Sequence, residues 1–592
     1  MKTSRELTGK NGIADDYKDT SFSLKKQMVQ VKKHYKLGFL IGIAAVFASC
    51  KRDLETVPIE QQTLDVIFDS RDSAGANANR FLYDSYLHLP TIHNRVGGDY
   101  LDAGTDDAIS STTTNTSVFQ LATGAYTANN YPDNQWSNLY TGIRQTNIFI
   151  SNIDRVPLKG KLSNGTPFNR VWKAESKFLR AFYYFELLKR YGGVPLLGNR
   201  ILSLADDVNI PRSSFDDCVE FIVSECDAIK DSLRTNPIDA TNIERPNRAA
   251  ALALKARVLL YAASPLYNGG NIEGGNQFTG YSSYNAERWQ RAANAARELI
   301  DENALSLDPG FENVFLNQMS PERIFARQGG NNQSVENNNG PIGYTSSINN
   351  GRTSPTQELV NSFGMSNGKS IAEIGSGYNQ NSPYENRDPR FYATILYNGA
   401  PWLGRPVQTY EGGADKPGGA RQQTRTSYYL RKFMGNYTTS SQYTNISHDH
   451  ILFRYAEVLL NFAEAKNEYL NTPDQDVYNA VESIRKRAGL NPFSLPIGLS
   501  KDQMRNLIRN ERRVELAFEE HRYWDVRRWK IAETEFNKEL HGKLIYKLGS
   551  GTLTYQDNPV LQMKFKAPQM YFAPIPYSEV VKNKNMVQNP GW

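Results

Sequence analysis

The chain has 592 residues, 39% of them hydrophobic, with 68 Lys and Arg against 62 Asp and Glu and a high count of 33 Tyr. Residues 1–49 hold nine of the bases and four of the acids, so 59 bases face 58 acids across residues 50–592. That balance excludes recognition of nucleic acid through a basic field, and the length supports a core that needs no disulfide staple.

Residues 1–27 are polar and resemble no export element, which makes Met28 the expected start and 1–27 a misassigned upstream segment. Lys32, Lys33 and Lys36 then precede the apolar run Leu37–Ser49. That run falls short of the roughly 20 residues that cross a hydrocarbon core and suits the centre of a secretory signal. Ala48 and Ser49 place small residues ahead of Cys50, as cleavage followed by thiol lipidation requires, although Phe47 stands where Leu is commonest. Residues 28–49 therefore read as a lipoprotein signal peptide and Cys50 as the lipidated first residue of the mature chain. A buried helix with an incidental Cys is the competing reading. Three acyl chains, at about 0.8 kcal/mol per buried methylene, would make the anchor permanent.

Asp106-Asp107 suits either a calcium ion or an acidic turn. Gly124–Trp136 (GAYTANNYPDNQW) then mixes aromatic rings with amides in a turn-rich stretch. Sugars present C–H faces that pack on aromatic rings, while their hydroxyls need amide and guanidinium partners. Helical spacing follows in Tyr140–Ile153 and in Val171–Gly192, where Ala174, Phe178, Ala181, Phe182 and Phe185 share a stripe that ends at Gly192-Gly193. Cys218 and Cys226 lie on a further helical stretch, about 12 Å apart along its axis and beyond disulfide reach. Asn247–Ser264, Glu287–Glu302, Ile451–Leu470 and Ser500–Glu520 repeat the pattern of Ala inside with a large apolar residue one turn away, the packing of helix-pair repeats. Between the helices run the long polar stretches Asn268–Asn285, Gly329–Ser354 and Asn379–Asn445, of a length that in a compact domain is functional or disordered.

Three stretches invite catalytic or metal readings. Gly364–Gly368 (GMSNG) matches GxSxG, but TQELVNSF ahead of it reads as helix, where a nucleophile elbow needs a strand. His448-Asp449-His450 offers two ligands, too few for zinc, and Asp449 reads equally as the cap of a helix starting near Ile451. Glu511, Glu515 and Glu519 recur every four residues, with Arg512, Arg513, Arg522, Arg527 and Arg528 nearby, so an ion-pair network is expected in place of an acid–base pair. Trp524 and Trp529 are expected in the core, with Trp136, Trp172 and Trp289. Paired carboxylates for glycoside cleavage are a spatial feature that sequence does not mark. No metal and no other cofactor is expected.

Six blocks in order carry a family resemblance. They are CKRDLETVP from Cys50, WSNLYTGIRQTNIFISNI from Trp136, AESKFLRAFYYFELLKRYGGVPL from Ala174, SPTQELVNSFGMSNGK from Ser354, RYAEVLLNFAEAKN with ERRVELAFEEHRYWDVRRW, and IPYSEVVKNKNMVQNPGW ending at Trp592. Over Cys50–Trp592 the chain resembles the SusD/RagB family of outer-membrane nutrient-binding lipoproteins. The resemblance implies a mainly α fold in which a tetratricopeptide-like scaffold of four helix pairs supports a long-loop, irregular ligand-binding region with few short strands. It implies one SusD-like domain over 50–592, whose N-terminal part (to about 360) and C-terminal part (from about 361) intertwine. It also implies a non-catalytic protein lipid-anchored in the outer membrane, facing the exterior, that lids a SusC-like TonB-dependent transporter and hands it glycans.

Ligand aromatics vary in position among such proteins, so none transfers by motif. Composition alone selects Tyr126, Asn129, Asn130 and Tyr131, then Tyr344 (NNGPIGYTSS), Trp402 (NGAPWLGR) and Tyr410 (VQTYEGG) as glycan contacts, with plain loop packing the competing reading for each. Two other functions stay open: a surface glycoside hydrolase, and the same scaffold binding peptides or another nutrient.

Overall fold

Among the described residues, eight helices of 13 residues or more carry the architecture. They are α1 (Trp136–Asn152), α2 (Phe168–Tyr191), α3 (Phe215–Ile229), α4 (Arg248–Ala263), α5 (Glu287–Ile300), α6 (Tyr455–Tyr469), α7 (Gln475–Arg487) and α8 (Lys501–Glu515). The computed structural model describes residues 63–592 apart from 113–115, 271, 345–349, 420 and 440–441. Cys50, the signal expected at 28–49 and the segment 1–27 lie outside the described residues.

Each helix packs on the next from α1 to α6, and α6 also holds α7 and α8. Local chemistry sets their ends. Ser214 and Ser500 form capping boxes with Asp217 and Gln503, and Asn247 accepts from the Ala250 N–H, so backbone donors exposed at three starts are satisfied. Gly192 stops α2 at φ 73°, where a Cβ would lie 2.2 Å from the Phe278 carbonyl oxygen. α4 has no polar face because it has no free face: Ala249, Ala250, Ala253, Ala256 and Ala263 are all buried between its neighbours. Cys218 and Cys226 lie buried and free on α3.

Residues 301–454 depart from the end of α5 and return at the start of α6, and these two helices nevertheless pack against each other. The neck of this excursion is a two-stranded antiparallel sheet in which Arg323–Arg327 pairs with His450–Arg454. The helix expected from Ile451 therefore begins only at Tyr455, because Ile451–Arg454 has a strand partner that lies far off in sequence. Phe325 and Phe453 of this sheet meet Phe178 and Phe182 of α2 edge-on, at 5.1 and 5.9 Å between ring centroids. Each such buried ring contributes about 2–3 kcal/mol.

The glutamates at 511, 515 and 519 are ion-paired as expected, but not to their sequence neighbours. Glu511 takes Arg390 at 2.5 Å, Glu515 takes Arg454 at 2.7 Å together with Arg390 and Arg487, and Glu519 takes Arg454 at 2.7 Å and Lys432 at 2.8 Å. Arg512 and Arg528 turn instead to Asp525 and Glu464, while Arg513 and Arg522 hold Asp106 and Asp107. The network thus ties the end of the excursion to α8. Trp136, Trp172, Trp289, Trp524 and Trp529 are all buried, as their helix positions predict.

All sheets among the described residues are two-stranded, and helix far outweighs strand among them. The longest pairing is the hairpin Glu539–Lys547 with Leu553–Gln562. Its Gly542 lies flat on the excursion, where a Cβ would be 2.4 Å from the Thr426 Cα. Ser427 donates to the Lys543 carbonyl there at 2.6 Å, and Lys543 N–H donates to the Thr426 carbonyl at 2.9 Å.

Candidate functional site

Where the excursion meets this hairpin, the chain leaves a cleft of about 750 Å3. One wall is the loop carrying Asn381, Tyr384, Glu385, Tyr397 and Asn398, and the other is the hairpin tip with Thr552, Thr554 and Tyr555. Tyr384 forms the base. Its ring lies 4.7 Å from Tyr397 and 5.8 Å, edge-on, from Tyr555, and stacks at 13° on Phe391 behind it. Tyr397 and Tyr555 are half-buried, so part of each ring stays open to solvent. Burial and then neighbouring Tyr392 raise the Tyr397 hydroxyl to about 12, which keeps it a hydrogen-bond donor at neutral pH.

Tyr384 holds its place because Arg387 fixes the loop. The guanidinium donates to the carbonyls of Pro383 (2.8 Å), Val360 (2.5 Å) and Gly364 (3.3 Å), and also to that of Phe363. Burial pulls its pKa down, as expected for a cation that meets carbonyl dipoles and no carboxylate. Tyr392 donates to the Tyr384 carbonyl at 2.8 Å, and the Tyr384 and Tyr428 hydroxyls meet at 3.3 Å.

Three of the residues selected from composition, Tyr344, Trp402 and Tyr410, are not among the lining residues and lie on segments connected to the cleft walls. Asn398, in the cleft wall, accepts from the Thr409 N–H, and the short hairpin Pro401–Trp402 with Arg405–Pro406 lies between them. Arg405 lies 3.6 Å above the Tyr344 ring and is neutralised by Asp415 at 2.8 Å, while the Tyr344 hydroxyl donates to the Arg405 carbonyl. Tyr410 sits under Lys547 at 5.3 Å, and the next residue, Glu411, bonds Ile545, whose strand partner is Tyr555. Tyr344 and Tyr410 are half-buried, and their faces meet protein cations.

Trp402 does not present a stacking face. It is 3% exposed, between Arg431 at 5.1 Å and Tyr437 at 5.9 Å. Tyr126 and Tyr131 are likewise buried: they lie 5.4 Å apart, and Trp592, from the far end of the chain, sits 5.4 Å from Tyr126. Asn129 and Asn130 are exposed, but the Asn130 amide oxygen accepts from the Thr127 N–H and hydroxyl, which closes a local turn. The expected platform at Tyr126–Tyr131 is thus corrected to core packing, because a distant ring covers it.

The sequence reading did not select Tyr384, Glu385, Tyr397 or Tyr555. Two signals were available: the long polar stretch Asn379–Asn445 contains the first three, and Gly549-Ser550-Gly551 between alternating runs marks the hairpin that delivers the fourth.

The catalytic and metal alternatives resolve into structural contacts. Ser366 of GMSNG follows a helix, Gln357–Ser362, and lies in a loop. His448 bonds Glu336 at 2.8 Å, Asp449 pairs with Arg323 at 2.8 Å and caps no helix, and the His450 ring accepts from the Ile92 N–H. No group of three metal-ligating side chains occurs among the described residues. Nor is any helix among them long and apolar enough to cross a membrane.

Comparison with known proteins gives concordant matches. The SusD family matches residues 321–592, and a second family, described as starch-binding and associating with the outer membrane, matches residues 90–260. A SusD-like protein of Formosa agariphila is 27% identical over 477 residues, which cover 77% of this chain and 80% of that protein. Among solved structures, a SusD-like protein from Bacteroides fragilis has a TM-score of 0.74 at 26% identity, over 90% of this chain and 100% of its own. A SusD-like carbohydrate-binding protein of the same organism has a TM-score of 0.69 at 23% identity, over 87% and 99% respectively. The mainly α helix-pair scaffold is the fold held in common.

Proposed function

The chain belongs to the SusD family, and from that premise we propose that it is a cell-surface glycan-binding lipoprotein, anchored through Cys50, that captures oligosaccharides and passes them to a SusC-like TonB-dependent transporter. The family is one of carbohydrate binders associated with the outer membrane. The observation that carries the reading for this chain is the cleft at Tyr384, Tyr397 and Tyr555. Half-open rings there supply stacking faces, and Asn381, Asn398, Thr552 and Thr554 supply donors and acceptors for hydroxyls.

A shallow cleft of this kind holds a chain of sugars weakly. Dissociation constants from micromolar to millimolar correspond to about 4–8 kcal/mol, strong enough to concentrate a ligand and weak enough to release it to a transporter. Capture without cleavage fits the lining, which contains one carboxylate, Glu385, where glycoside hydrolysis uses two about 5–9.5 Å apart. The likeness of residues 90–260 to a family associating with the outer membrane supports an anchored location. Residues 50–592 act as one domain in this reading.

Isothermal titration of the protein lacking residues 1–50 against a panel of polysaccharides and peptides tests the cargo. Heat from glycans alone supports the reading, heat from peptides alone overturns it, and new reducing ends would make the protein a hydrolase. Cys50→Ala is expected to move the protein from the membrane to the soluble fraction on cell fractionation, and retention would overturn the anchor.

A further inference from the structure

We propose that the glycan taken by the cleft is uncharged: a neutral pyranose chain whose adjacent hydroxyls donate to Glu385, with uronic-acid and sulfated sugars rejected. This rests on the reading of the cleft as the glycan site.

The argument is one of charge inventory. Glu385 is exposed at the cleft wall, and among the described residues its carboxylate has no ion-pair or hydrogen-bond partner. Elsewhere among the described residues many acidic side chains are paired even at the surface, as Asp557 is with Lys543 and Glu220 with Arg291. A carboxylate is an acceptor only, and its two oxygens suit two vicinal hydroxyls as donors.

No Lys or Arg lines the cleft to receive an anionic sugar. The nearest guanidinium behind it, Arg387, is 1% exposed and is committed to backbone carbonyls. Arg405, outside the lining, is already neutralised by Asp415. One exposed cation nearby, Lys547, lies outside the lining, over the Tyr410 ring. Within the lining an anionic chain would bring its charge against Glu385 with no compensating partner, whereas a neutral chain meets an acceptor, amides, hydroxyls and ring faces.

The test uses the detergent-solubilised full chain and length-matched polymers: a neutral glucan, a neutral mannan, polygalacturonate and a sulfated galactan. Wild type, Glu385→Gln, Glu385→Lys and the cleft control Tyr397→Ala are compared by titration at two salt concentrations, with circular dichroism confirming that each is folded. We expect binding to a neutral polymer only, about tenfold weaker binding in Glu385→Gln, and a measurable gain for an anionic polymer in Glu385→Lys. Wild type that binds an anionic polymer as tightly as any neutral one, with binding lost in Tyr397→Ala, overturns the charge inference and leaves the cleft reading standing. Glycan binding that Tyr397→Ala leaves untouched overturns the cleft reading, and this inference with it.

Discussion

The helical scaffold and the excursion between α5 and α6 both pair arginine with carboxylates, but the excursion also relies on arginine to hold its irregular backbone. In the scaffold, guanidinium groups meet carboxylates: Arg528 with Glu464, Arg512 with Asp525, Arg190 with Asp133. In the excursion Arg390 and Arg405 also pair with carboxylates, but other guanidinium groups reach backbone carbonyls: Arg387 as described, Arg323 on Val314 and Phe315 beside its pair with Asp449, and Arg431 on Met434. The reason lies in the backbone. A helix satisfies its own carbonyls, which leaves side chains free to pair, while an irregular chain carries buried carbonyls that need donors, and the five N–H groups of Arg supply them. The irregular excursion is therefore held in part by side chains such as Arg387, whose loss would leave several carbonyls without donors at once.

Breaking the junction between the two regions should have the largest effect. Arg454 closes the excursion and bonds Glu322, Glu515 and Glu519, all buried. Arg454→Ala leaves those charges uncompensated and is expected to cost about 3–5 kcal/mol in urea unfolding. A loss under about 1 kcal/mol would show that the excursion is held independently of α8.

Acid should separate the regions. In the scaffold, burial alone would raise Glu464, but Arg528 and its hydrogen bonds hold it at about 2, against an ordinary 4.5. Its folded value lies below the unfolded one, so its contribution of about 3 kcal/mol is complete above pH 4.5 and is lost as pH falls toward 2. At the neck of the excursion, burial and then Arg327 depress His450 to about 4 from 6.5. His450 stays neutral when folded, so its contribution is complete above pH 6.5 and is lost between 6.5 and 4. Hydrogen exchange is expected to loosen first around Arg323–Arg327 and His450–Arg454, with helical circular dichroism lost only at lower pH. One coincident transition below pH 4 would abolish the distinction.

Arg387→Ala is expected to cost about 2 kcal/mol by leaving buried carbonyls without donors, and to weaken glycan binding through a loosened Tyr384. Arg387→Lys should restore little of either, because one ammonium cannot reach carbonyls on several sides. Tyr555→Ala is the mildest change, with unfolding within about 0.5 kcal/mol of wild type and affinity down three- to tenfold by titration. Equal affinity would remove the hairpin tip from the site.

The scaffold was legible because its signals are local. Ala and Phe spacing in Val171–Gly192 and the Ala-rich pattern of Asn247–Ser264 predict α2 and α4 to within a few residues. The excursion was legible only as composition. Ile451–Arg454 has the apolar content of a helix start, and only its partner strand 124 or more residues earlier makes it a strand. Tyr126 and Tyr131 sit in a polar, turn-rich stretch that reads as surface, yet Trp592 covers them. The cleft needed two such coincidences at once, since Tyr384 and Tyr555 meet across 170 residues of chain.

Because α5 and α6 touch, the two ends of residues 301–454 are pinned side by side whatever runs between them. Closing a flexible loop costs only about 0.6 kcal/mol more for each doubling of its length. Insertions and deletions in this stretch would thus leave the helical frame almost unstrained, and a lineage could retool what the protein grips by rewriting one interval of the gene.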